Sequence, residues 1–236
     1  AFRTYKENIQ YMLLDQPSTI KTCREWLNML LKNQDADGNK IDKRKKYKEK
    51  ETYDWYIDYI KKLLDISRIE SGKVVLASDK VIIDYIVEES VESAVVDKSK
   101  VIVDYGDAIK RDMYADEGWL VEAFVNIISN SYEYICDRED GRVYIDISSN
   151  NEVCMIKISD NGDGIDKEHL AYIFDRFEGK SSQDEFHAGI GLNLSKLIIE
   201  AHHGSIKAGN SDKYGGAEFR IILPLYKLKG KIEYNK

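Results

Sequence analysis

The stretch Ser159-Asp160-Asn161-Gly162-Asp163-Gly164-Ile165 constrains the fold most, because it sets an apolar strand end, a carboxylate and two glycines side by side. Val153, Met155, Ile156 and Ile158 predict a strand running into it. Glycines two apart permit positive φ and let a flat ligand approach the main chain without meeting a Cβ. Asp160 offers two acceptors to a donor such as an exocyclic amine. The same residues also suit an ordinary Asn-Gly or Asp-Gly surface turn, and taken alone the stretch leaves both readings open.

Two flanking segments bear on that choice. Upstream, Asn126 and Asn130 stand four apart in a pattern with Leu120, Phe124, Ile127 and Ile128 at helical spacing, so both amides share one stripe beside an apolar face. Downstream, Gly189-Ile190-Gly191-Leu192-Asn193-Leu194-Ser195 opens a helix carrying Leu194, Leu197, Ile198 and Ala201 and stopping at Gly204. A glycine-rich loop feeding a helix N-terminus turns unpaired N–H groups and the positive dipole end toward an anion such as a phosphate. A flexible loop with an ordinary N-cap fits that segment too.

At 236 residues the chain can build one large or two modest cores. A charged fraction of 33% and net charge of −7 argue for an acidic, soluble segment without the basic surface of a nucleic-acid binder. Cys23, Cys136 and Cys154 lack metal-ligand spacing and are read as free thiols of a reducing cytosol. No apolar run reaches membrane-spanning length and no signal-peptide pattern stands at Ala1, so a cytoplasmic segment without membrane contact is expected, compatible with a sensory or membrane region ahead of it.

In chain order, Tyr5, Ile9, Met12, Leu13, Ile20, Leu27, Leu30 and Leu31 predict a long helix, kinked at Pro17. Asp35-Ala36-Asp37-Gly38-Asn39 breaks it, and Trp55, Tyr59, Leu63, Ile66 and Ile69 predict a second helix antiparallel to the first. Two helices bury little alone, so the stripes imply a homodimer closing a four-helix bundle. The basic run Lys43-Arg44-Lys45-Lys46-Tyr47-Lys48 reads as a solvated face.

Ser71-Gly72 is the expected boundary, giving a helical hairpin over 1–71 and a globular domain over 72–236. In the latter, strands are expected at Val74–Leu76, Val101–Val103, Val143–Ile147, Val153–Ile158, around Ile206 and at Arg220–Leu225, with a hairpin around Asn150-Asn151. Helices are expected at Val81–Val95, along the two asparagines, at Lys167–Ile173 and at Leu192–His202. This order argues for an α+β fold, one sheet with helices on one face. The polar, aperiodic stretch 175–190 reads as a functional lid or as disorder.

Taken together these segments resemble the histidine-kinase-like ATPases. Asn126 to Asn130 resembles the N box and Asp160-Asn161-Gly162-Asp163-Gly164 the first glycine box. Phe174-Asp175-Arg176-Phe177 resembles the F box, Gly189-Ile190-Gly191-Leu192 the second glycine box, and Gly215-Gly216-Ala217-Glu218-Phe219 the last glycine turn. Leu63-Leu64-Asp65-Ile66-Ser67-Arg68-Ile69-Glu70-Ser71-Gly72-Lys73 is similar to the exit from the dimerisation hairpin of sensor histidine kinases.

The resemblance implies an ATP-binding α/β sandwich with a mobile lid, ATP and Mg²⁺ as cofactors, and a response-regulator receiver domain as partner. Asn130 is implied as the magnesium ligand, an amide oxygen being a hard donor. Asp160 would accept from the adenine amino group, with Gly162, Gly164 and Ile165 around the base and Tyr134 packed near it. Gly189, Gly191 and Leu192 would cradle phosphates, Arg176 and Lys180 would meet their charge, and Phe174 and Phe177 would anchor the lid. Asn126 occupies the place where hydrolytic relatives carry a glutamate, and a neutral amide is no general base near pH 7, so phosphoryl transfer is favoured over hydrolysis.

One departure stands out. In Tyr11-Met12-Leu13-Leu14-Asp15-Gln16-Pro17-Ser18-Thr19-Ile20 the family's phosphoacceptor histidine falls on Met12, and no histidine precedes His169. A thioether cannot form a phosphoramidate. His169, His187, His202 and His203 are read as capping, solvent-facing or lid-flanking. The chain is therefore expected to be a transmitter whose acceptor is replaced or lies on another chain, or a nucleotide-binding pseudokinase acting on a partner; a hydrolysing clamp is disfavoured by Asn126.

Overall fold

The computed structural model describes residues 58, 61–106, 112–176 and 189–226. The expected N-terminal helix, with Met12 and Pro17, and the Phe177 and Lys180 positions lie outside the described residues. The chain divides between Asp65 and Ile66 into two units, and the architecture below is that of the second.

Helical residues 66–70 end in a tight stop. Gly72, at φ +63°, donates to the Ile69 carbonyl at 2.9 Å, and the Lys73 N–H reaches the Arg68 carbonyl at 3.0 Å. This is a Schellman closure, for which a left-handed residue and hence glycine is required. Strand β1 (Asp79–Ile82) then leads directly into helix α1 (Ile83–Ser93), followed by β2 (Val101–Asp104), β3 (Asp112–Ala115) and helix α2 (Glu117–Glu133). Strands β4 (Val143–Ser149) and β5 (Val153–Asp160) form a hairpin. Short helix α3 (Lys167–Leu170), helix α4 (Gly191–Ala201), β6 (Ser205–Asn210) and β7 (Ala217–Pro224) complete the described residues.

Five strands form one sheet in the order β2-β4-β5-β7-β6, parallel only between β2 and β4. Alternation decides its faces: Val143, Ile145 and Ile147 of β4, Cys154, Ile156 and Ile158 of β5, and Phe219, Ile221 and Leu223 of β7 are buried. Helix α2, with Leu120, Phe124 and Ile127 buried, packs on β4 and β5; α4, with Leu194, Ile198 and Ile199 buried, packs on α2 and β6; and α1, with Ile83, Ile86 and Val87 buried, packs on α2 and β1. Helix α2 lies between α1 and α4, so the stripe bearing Asn126 is held against the start of α4. Each fully buried large apolar side chain contributes roughly 1.5–3 kcal/mol, which the helix and strand periodicities together collect on one surface.

The α+β sandwich expected from the sequence is present, with several local corrections. Val74–Leu76 is not a strand, and Val75 is 93% exposed; pairing begins at Asp79, whose partner is the unforeseen β3. An apolar trio makes a strand only where an edge is available to receive its hydrogen bonds. That small antiparallel pair, β1 with β3, is a second sheet outside the main one. It also takes the first two residues of the expected Val81–Val95 helix. Helix α3 stops at Leu170 rather than Ile173, and the last strand begins at Ala217 rather than Arg220.

Two polar locks set the helix ends. Asp116 caps α2, its Oδ1 accepting from the Trp119 N–H at 3.3 Å and its Oδ2 from the Ala77 N–H at 2.9 Å. The Asp116 N–H donates to His202 Nε2 at 3.1 Å, while His202 Nδ1 lies 2.8 Å from the Ile198 carbonyl. Those partners require the neutral ring with its proton on Nδ1, and burial holds the His202 pKa below its ordinary value.

Candidate functional site

Strand β5 ends on Asp160, which is 1% exposed. Its Oδ1 accepts from the Gly162 N–H at 2.9 Å and from the Ala217 N–H at 3.0 Å, and its backbone carbonyl accepts from the Gly216 N–H at 3.1 Å. The carboxylate is thus clamped between its own loop and the start of β7. Its Oδ2 is buried and makes no hydrogen bond of normal geometry among the described residues, although the Ser131 hydroxyl stands close enough to favour the charged carboxylate. Burial pushes the Asp160 pKa above the usual carboxylate value, opposed by the two backbone donors, the Ser131 hydroxyl and the Arg138 charge. A buried acceptor without a donor costs about 1–3 kcal/mol, so this oxygen is matched to a donor brought by something that binds.

Glycine is a steric requirement at this loop. A Cβ on Gly216 would lie 2.1 Å from Asp160 Oδ1 and 2.5 Å from the Gly162 nitrogen. A Cβ on Gly162 would stand 3.0 Å from Asp160 Oδ1 and 3.4 Å from Ile135 Cγ2. Gly164, at φ +79°, approaches Asn210, whose Oδ1 accepts from the Ile165 N–H at 2.7 Å and whose Nδ2 donates to the Ile165 carbonyl at 3.0 Å. Both main-chain groups of Ile165 are therefore occupied, and its side chain is half-buried. Tyr134 sits at the C-cap of α2, 45% exposed, its pKa raised by burial and then by the negative charges of Glu133 and Asp160.

The second half of the site is the junction of α2 and α4. Asn126 is buried and donates from Nδ2 to Glu122 Oε1 at 3.2 Å. A Cβ on Gly191 would come within 3.3 Å of Asn126 Oδ1, so this glycine lets the start of α4 close on the asparagine helix. The buried Ser195 hydroxyl lies 3.0 Å from the Ala123 carbonyl and 2.9 Å from the Gly191 carbonyl, tying the same two helices. Gly189 takes φ +63°, and the N-cap residue of α4, Ile190, makes no side-chain capping bond. Asn130, one turn beyond Asn126, is half-buried. Among the described residues no group of three His, Cys, Asp or Glu side chains could hold a metal ion.

The F-box residues are fixed from α4 and β7. Asn193 Nδ2 donates to the Phe174 carbonyl at 2.8 Å, the Phe174 and Phe219 rings meet edge to face at 6.4 Å, and Lys196 Nζ lies 5.8 Å from the Phe174 centroid. Arg176 forms an ion pair with Glu70. The contributions of Gly216, Ala217, Asn210 and Asn193 escaped the reading of the sequence, although the Gly215-Gly216-Ala217 turn itself was visible as a signal.

A clamped carboxylate with one unpaired oxygen and a glycine-opened helix, both on an α+β sandwich, support an ATPase core of the histidine-kinase type. Residues 115–227 match the family described as histidine kinase-, DNA gyrase B-, and HSP90-like ATPase. Similar curated proteins include the sensor protein ChvG of Agrobacterium fabrum, 32% identical over 70% of this chain, and the heme sensor protein HssS of Staphylococcus saprophyticus, 30% identical over 69%. The chain spans only 26% and 35% of those two proteins. Among solved structures, the Acinetobacter baumannii histidine kinase AdeS is similar with a TM-score of 0.61 at 19% identity, over 88% of this chain and 95% of that one. Full-length ShkA in complex with AMPPNP gives a TM-score of 0.67 at 20% identity, over 89% of this chain and 46% of that one. At those identities the likeness is one of fold. No helix among the described residues is long and apolar enough to cross a membrane.

Proposed function

We propose that this chain is the cytoplasmic core of a two-component sensor histidine kinase, with a dimerising hairpin over 1–71 and an ATP-binding domain over 72–236. The buried, unpaired Asp160 Oδ2 carries the reading, because it demands a donor of the kind an adenine amino group supplies. Gly162 and Gly216 keep Cβ atoms away from Asp160 Oδ1 and so let the clamp close on that oxygen, and Tyr134 offers a ring at the rim. Gly189, Gly191 and Leu192 open α4 toward phosphate, with backbone N–H groups and the helix dipole as the attraction. Asn130 holds Mg²⁺ through its amide oxygen, which fits a metal that keeps water and phosphate oxygens as its other ligands. Arg176 and Lys180 neutralise the transferring phosphoryl group, and Asn126, lacking basicity, leaves water unactivated.

Met12 occupies the acceptor position of the hairpin. That residue favours a second reading, a nucleotide-binding regulator that dimerises and acts on a partner, such as a receiver domain, without labelling itself. Incubation with γ-labelled ATP separates the two: acid-labile label on a partner chain supports transfer, and nucleotide binding without transfer supports the regulator. The Met12→His variant is expected to label itself. Failure of both MgATP binding and labelling in that variant would refute the kinase core.

A further inference from the structure

Glu70 and Arg176 stand 106 positions apart yet form an ion pair. Both arms are short and anchored. Glu70 follows buried Ile66 and Ile69 on a helix closed at Gly72, so its direction is set by packing and by the Schellman bonds. Arg176 lies two residues beyond Phe174, whose carbonyl Asn193 holds and whose ring meets Phe219. The contact therefore joins two fixed points of the unit. Its side chains remain 37% and 44% accessible, so either partner can be exchanged for a ligand.

We propose that Glu70 is an acidic counter-ligand that competes with nucleotide phosphate for Arg176, so that the helix entering the domain tunes nucleotide affinity. This rests on the phosphate role given to Arg176 above. A guanidinium offers the same N–H groups to carboxylate and to phosphate, so while Arg176 Nη2 is held by Glu70 Oε1 that nitrogen and part of the charge are withheld from the phosphate. Residues 66–70 continue covalently from the first unit. A side-chain rotation of Glu70, or a small shift of that helix end, is enough to part the exposed pair and free the guanidinium. The pair is thus a point at which a helical movement becomes a change in phosphate affinity.

Calorimetric titration of the full chain tests it, with MgATP and adenosine as probes, in wild type, Glu70→Gln, Glu70→Ala, Arg176→Ala and the Glu70→Gln/Arg176→Ala double variant. Loss of an exposed competing pair is expected to tighten MgATP about two- to five-fold at low salt. The gain should shrink as salt rises, vanish in the Arg176→Ala background and be absent for adenosine, which has no phosphate. Unchanged MgATP affinity in both Glu70 variants, while Asp160→Asn still weakens binding, overturns the competition and leaves the nucleotide site standing. Tightening that persists without Arg176 also overturns it. Absence of MgATP binding by the wild type overturns this inference together with the reading it rests on.

Discussion

Gly216→Ala should damage both the fold and the site, by an amount the geometry sets. Gly216 is not among the positive-φ glycines, so alanine fits its backbone and the effect is purely steric. The new Cβ would lie 2.1 Å from Asp160 Oδ1 and 2.5 Å from both the Asp160 carbonyl oxygen and the Gly162 nitrogen, where real Cβ contacts essentially never fall below 3.0 Å. Two of those three atoms are backbone, so no rotamer change relieves the clash. Relief requires β7 to retreat from β5 by several tenths of an ångström, which breaks the Gly216 and Ala217 hydrogen bonds to Asp160. Overpacking costs about 1–3 kcal/mol and a buried acceptor left unpaired about as much again. A total of roughly 2–6 kcal/mol lowers the melting temperature by about 4–24 °C for a domain of this size. Gly209→Ala, with nothing within 4 Å of its new Cβ, is the matched control and should stay within ~0.5 kcal/mol of wild type. Differential scanning calorimetry of the two variants, with MgATP titrations at a temperature where both are folded, gives the comparison. If Gly216→Ala melts with wild type and binds nucleotide as wild type does, the clamp on Asp160 is not what orients the carboxylate.

Asp160→Asn should weaken MgATP by about one to two decades, the worth of a charge-assisted hydrogen bond, and titration calorimetry measures it. Its melting temperature without nucleotide should hold or rise. The folded Asp160 pKa is raised, so stability falls as pH climbs from ~3.9 through the raised value, and the variant removes that cost at neutral pH. A clear fall in melting temperature would mean that the ionised group stabilises the fold. His202 titrates the other way: its folded pKa is lowered, so the unfolded chain binds a proton first, and stability is lost as pH drops below ~6.5. Urea midpoints taken between about pH 7.5 and 5.5 should decline in wild type and flatten in His202→Gln; equal slopes in the two proteins would discount the ring as the cause.

Much of the sandwich was legible because its signals are local. Period-two alternation along β4 and β5, the apolar stripe of α2 and the glycines that end or open elements each depend on a few neighbouring residues. Where the reading erred, the deciding partner was distant. Val74–Leu76 had strand composition without an edge to pair with, and β3 was hidden because four mixed residues become a strand only when β1 lies beside them.

The amino-acid order by itself determined which chemistry is on offer: a carboxylate at a strand end, paired amides one helical turn apart, and glycines at a helix start. Only the tertiary structure decided which atoms remain available. It consumed Asp160 Oδ1 and left Oδ2 unpaired, spent the main chain of Ile165 on Asn210, and paired Arg176 with Glu70. The reason is that hydrogen-bond satisfaction is settled by closeness in space, and residues 45 to 106 positions apart meet only once the sheet and helices have packed.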